Sequence, residues 1–109
     1  MAYDEGLAER VREVMADEPG LTEKRMFGGI AFMLDGNMAC GVSKDDLMLR
    51  VGTDGFDALL GESGVRIFDM SGKPMKGWLL VSADATSEDE ELAGWIARGV
   101  SFARSLPPK

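Results

Sequence analysis

Residues 24–51, KRMFGGIAFMLDGNMACGVSKDDLMLRV, decide the fold of this chain. From Arg25 onward the apolar residues stop recurring at helical intervals, and short apolar and β-branched runs broken by turn signals take over. Asp35-Gly36-Asn37 is the strongest of these signals, because residues that tolerate positive φ fit the primed turns whose twist matches that of the flanking strands. The strand before it is expected to pair with residues 38–42. A second turn over residues 43–46 leads into 47–51, where Leu47, Leu49 and Val51 point to one face and Met48 and Arg50 to the other. The stretch reads as a three-stranded antiparallel meander.

Upstream, Leu7, Val11, Val14 and Met15 recur at helical spacing from about Asp4 to Asp17, until Pro19-Gly20 stops the pattern. Asp4 and Glu5 place negative charge at the positive end of that helix. Downstream, Thr53 and Asp54 are candidate caps for a short helix with Phe56, Leu59 and Leu60 on its apolar side. Residues 65–68 and 78–81 read as two further strands, joined by a long loop over 69–77 in which Pro74 cannot donate to a ladder. Ser87 and Glu90 have the spacing of a capping box. The final helix carries Leu92, Trp95, Ile96, Gly99, Phe102, Ala103 and Leu106 along one side, and Pro107-Pro108 ends it. The order is helix, three strands, helix, two strands, helix, an α+β fold with helices packed on one antiparallel sheet. No linker or repeat divides it, so residues 1–109 are expected to form one domain.

A chain of 109 residues can bury about 65% of its unfolded surface without covalent staples. Its hydrophobic share of 45% and charged share of 28% suit a soluble globular domain. No signal peptide or membrane span is visible, and the single Cys40 excludes an internal disulfide, so the expected location is the cytoplasm. The formal charge is −7, with six acidic and two basic residues in positions 1–20 alone. Direct nucleic-acid binding is disfavoured, since phosphate neutralisation calls for a basic face. A local cluster of Lys24, Arg25, Arg66, Lys73 and Lys76 would be the one exception, if the fold gathered them.

With no histidine in the chain, imidazole zinc sites, Ser-His-Asp triads and Cys-His pairs are excluded. One cysteine cannot build a thiolate metal site, and no cofactor is expected. Cys40 reads first as a small buried side chain and only second as a reactive thiol, which would need a cationic neighbour. Gly28-Gly29 lacks the Gly-Lys-Ser/Thr of a phosphate loop and instead marks a bulge or a close backbone approach, and Gly41 is expected under a helix. Asp45-Asp46 and the run Glu88-Asp89-Glu90-Glu91 suit a turn and a first helical turn respectively.

Eight methionines are a rich share for this length, and Met26, Met33, Met38, Met48, Met70 and Met75 lie in or beside the sheet. Thioethers fill irregular cores and also make adaptable contact surfaces. If helices cover one face only, Met48 and Arg50 would face a partner across the other. The segment Lys73-Pro74-Met75-Lys76-Gly77-Trp78 adds two cations and an aromatic that could meet an anion.

Taken together, MFGGIAFMLDGNMACGV, LMLRV, GKPMKGWLLV and the terminal WIARGVSFARSLPPK resemble the TfoX/Sxy-type N-terminal domain family of bacterial proteins. The resemblance runs nearly end to end, with Ala39 standing where a bulkier side chain is expected in many relatives. It implies a compact domain of the secretion-chaperone-like type. Members are named for regulators of competence for DNA uptake, in which this domain precedes a second one, whereas this chain stops at Lys109. The resemblance brings no catalytic residues. The expected function is a non-enzymatic regulatory or adaptor domain acting through contacts with a protein partner or as a homodimer. Met48, Arg50, Lys73, Lys76 and Trp78 are its candidate surface. The alternative is a small-molecule or anion-binding domain, its pocket between sheet and helices lined by Phe27, Phe32 and Trp78 with Arg50 or Lys76.

Overall fold

A computed structural model describes residues 3–26, 28–70 and 73–108, apart from the side chains of Met26, Asp69, Met70 and residues 73–76. The elements are α1 (Glu5–Met15), β1 (Leu21–Met26), β2 (Gly29–Leu34), β3 (Asn37–Ser43), β4 (Asp46–Arg50), α2 (Gly52–Leu59), β5 (Val65–Met70), β6 (Lys73–Val81), a 3-10 turn (Ala83–Thr86) and α3 (Asp89–Arg104). The strands form one antiparallel sheet in the order β1-β2-β3-β4-β6-β5. The α+β architecture with helices on an antiparallel sheet is as expected. Its strand count is not, because the meander has a fourth strand.

The extra strand arises where the reading from sequence ran one strand through the glycine pair. Met26 instead pairs with Gly29, and Gly28, at φ 72°, supplies left-handed backbone between the two strands. Gly29 lies so close to β3 that a Cβ on it would collide with the Val42 carbonyl. The predicted hairpin at Asp35-Gly36 forms as a two-residue turn with positive φ at both positions, 51° and 86°. Residues 69–77 are not a long loop, since β5 and β6 run on until Met70 pairs with Lys73.

The helix ends differ from their sequence assignments by one to three residues. Asp4 caps α1 by accepting from the Leu7 N–H. Val51 rather than Thr53 or Asp54 holds the N-cap of α2, with no side-chain cap. Glu88 and Glu91, not Ser87 and Glu90, make the capping box of α3. α3 breaks off at Arg104, ahead of the prolines, with Ser105 as its C-cap.

One face of the sheet carries the core. Phe32, Leu34, Val42, Leu47, Leu49, Leu79 and Val81 meet Leu7, Val11 and Met15 of α1, Phe56 and Leu59 of α2 and Leu92, Ile96 and Ala103 of α3. Val14, expected in this core, is 39% exposed. The opposite face is not bare. Ala31, Met38, Met48 and Phe68 form a second buried cluster with Met33, Trp78 and Leu80 packed against it. Gly41 belongs here rather than under a helix, because a Cβ on it would press on the terminal methyls of Met48 and Met38. Met48, expected to face a partner, has 0% exposure. Strand alternation did aim it away from Leu47 and Leu49, but the neighbouring side chains close over it.

α3 rests on the sheet through Gly99, where a Cβ would run into the Ala39 carbonyl oxygen. Gly99→Ala is expected to destabilise the domain by about 1–3 kcal/mol in urea unfolding, because backbone cannot yield as a side chain can. Met48→Leu should cost less than about 1.5 kcal/mol, whereas Met48→Asp buries an unpaired carboxylate and should leave little folded protein.

Candidate functional site

Four elements meet at the end of β4. Arg50, its last residue, is partnered across the ladder by Trp78 of β6. Its guanidinium carbon lies 5.3 Å from the centre of the Trp78 ring and 5.2 Å from that of Phe102 in α3. Two aromatic rings so placed attract a cation through their negative faces. Gly52 and Gly77 both hold positive φ, at 77° and 97°, which favours glycine at each. A Cβ on Gly52 would come within 2.5 Å of the Phe102 ring. The Val51 N–H donates to the Gly77 carbonyl at 2.9 Å and ties α2 to β6.

These residues, with Thr53, enclose a recess of about 260 Å³ around Arg50. Phe102 is also a wall of the neighbouring groove of about 500 Å³, which runs between α2 and α3. The groove is apolar along Val51, Leu59 and Ala97, and polar at Arg98, Ser101 and Ser105. Among the described residues no carboxylate pairs with Arg50, whereas Arg10, Arg12, Arg66 and Arg104 are each ion-paired. Arginine offers a rigid fork of donors suited to a carboxylate or phosphate. The arrangement can hold an anion.

Of the candidate surface, the structure brings Arg50 and Trp78 together and removes Met48 into the second cluster. The side chains of Lys73 and Lys76 lie outside the described residues, as does Phe27. Phe32 is fully buried in the main core and lines neither recess nor groove. Phe102, Gly52 and Gly77 were missed as site residues. The helical pattern had placed Phe102 on the apolar side of α3, but nothing in the sequence paired it with Arg50. The basic cluster is not assembled: Lys24 and Arg25 sit on edge strand β1, and Arg66 on β5 at the other edge, bound to Asp46 at 2.6 Å.

On the far flank of α3, Val14, Ala93 and Val100 line a groove of about 240 Å³ between α1 and α3. Cys40 is deep in the core, its thiol 3.6 Å from the Met15 sulfur. No group of His, Cys, Asp or Glu among the described residues could hold a metal ion, and no helix there is long and apolar enough to cross a membrane.

Burial pushes the Cys40 thiol up to about 12. It should therefore resist alkylation in the native protein and react only as the domain unfolds. The folded state disfavours the thiolate, so its contribution is complete below the ordinary thiol value near 9 and is lost as pH climbs from about 9 to about 12. The stability difference between wild type and Cys40→Ala should be flat up to pH 9. Above it the difference should shift against wild type by about 1 kcal/mol per pH unit, as read from denaturant unfolding at each pH.

The family model of the TfoX N-terminal domain matches residues 13–103, a span that takes in the last turn of α1, the whole sheet, α2 and nearly all of α3. No curated protein matches the chain.

Proposed function

The chain belongs to the TfoX N-terminal domain family, a small regulatory-type domain, and we propose that it works without catalysis in the cytoplasm by docking a protein partner on its helical layer. The single observation behind this reading is the α1–α3 groove, where Val14 stands 39% exposed beside Ala93 and Val100. What supports a contact site is that Val14 adjoins Ala93, Ile96, Ala97 and Val100 in one apolar lining, rather than standing singly. The lack of histidine and the sealed Cys40 support a binding role over an enzymatic one.

The chemistry of the partner follows from charge. Glu13 and Asp17 are exposed beside Val14, Glu90 lies one turn before Ala93, and the chain carries −7 overall. An amphipathic helix with basic flanks fits such a groove, whereas a second copy would bring like charge against like.

A model peptide of leucine and lysine in amphipathic helical order is the probe. Amide shifts in the full chain should map to Val14, Ala93 and Val100, and Val14→Arg or Ala93→Arg should weaken binding by about tenfold or more. Neither change should move stability by more than about 0.5 kcal/mol, since both sites lie outside the core. Peptide contacts confined to the sheet would defeat the proposal. A dimer in light scattering that Val14→Arg dissolves would give the groove to a second copy instead.

A further inference from the structure

We infer that the Arg50 recess and the α2–α3 groove together bind a small organic acid, its carboxylate on the Arg50 guanidinium and its apolar body along the groove. The site shares Ala97 and Ser101 of α3 with the α1–α3 groove but has Arg50, Phe102 and the α2 residues to itself, so variants there let either reading fail alone.

The cation is the first observation. Arg50 is half-buried and has no carboxylate among the described residues, in a chain with 19 acidic side chains for 12 basic ones. Its lack of a partner is not for want of candidates, since four other arginines are ion-paired. Trp78 and Phe102 hold its position, and stacking of this kind leaves the in-plane N–H donors free for a ligand.

Continuity is the second. Phe102 lines both spaces, so they adjoin at its ring, and a molecule whose head meets Arg50 would lay its body over that ring toward the groove. The groove, at about 500 Å³, is of the size that holds small ligands, and its lining of Val51, Leu59 and Ala97 suits hydrocarbon or an aromatic ring. Charge count narrows the head group. Arg50 is the cation of the recess while Arg98 stands on the groove beyond it, so the head group meets a single arginine in a chain of −7, which matches a monoanion better than a phosphate dianion or a polyanion.

Sodium decanoate and indole-3-acetate are suitable probes for calorimetry and amide-shift mapping on the full chain, with acetate and 1-decanol as head-only and body-only controls. At least one probe should bind with shifts centred on Gly52, Thr53, Ala97 and Phe102, and more tightly than either control. Arg50→Gln should weaken it on the order of ten- to a hundredfold, towards the level of the alcohol. Ala58→Trp, at an exposed position of α2 that lines this groove and not the α1–α3 one, should block the groove and abolish binding. The inference is overturned if neither probe binds at millimolar concentration, if the shifts fall elsewhere, or if inorganic phosphate binds as tightly. Unchanged affinity in Arg50→Gln or Ala58→Trp would overturn it equally.

Discussion

The close approach of α3 to β3, at Gly99 against the Ala39 carbonyl, governs most of the structure. Ala39 is the extra residue of a bulge, since Phe32 pairs with Cys40 while Met33 pairs with Met38. With no side chain between helix and strand, Leu92, Ile96 and Ala103 can reach the core from the same helix face. The helix end is then anchored by polar contacts. Arg104 reaches Glu18, the Pro19 carbonyl and Asp35, and the Asn37 amide donates to the Pro107 carbonyl at 2.9 Å. Exposed ion pairs are individually weak, so these contacts align α3 with the hairpin more than they stabilise it.

Phe102 takes its place from that alignment, and the Arg50 site takes its place from Phe102. The ring lies against Gly52 where no other residue would leave room, while Trp78 approaches Arg50 from the sheet side. Trp78 has a second role, because its ring is 6.3 Å from that of Phe68 in the cluster on the opposite sheet face. Trp78 thus joins the recess to that cluster. Cation–π contacts of this kind contribute about 0.5–2 kcal/mol each, enough to orient Arg50 without neutralising its charge.

Stability is unevenly shared around the groove. α3 spans Asp89–Arg104 and carries a capping box, whereas α2 has only Gly52–Leu59, no side-chain cap and two glycines. A helix this short is marginal by itself and depends on the burial of Phe56 and Leu59. The wall contributed by α2 therefore belongs to the less stable part of the domain, where local opening is easiest.

Much of the secondary structure is legible in the sequence because its causes are local. The spacing of Leu7, Val11 and Met15, the Asp35-Gly36 turn and the alternation from Leu47 to Arg50 each depend on neighbours a few residues apart. The split of β1 from β2 at Gly28 escaped because a glycine pair reads equally as a bulge or a turn until the partner strand is known. Alternation along β4 determined that Met48 and Arg50 leave the helix-covered face together. Only the tertiary structure decided that Met48 is sealed beneath its neighbours while Arg50 is held between Trp78 and Phe102. Direction along a strand is a property of the backbone, but burial and pairing depend on side chains that other elements bring from far along the chain.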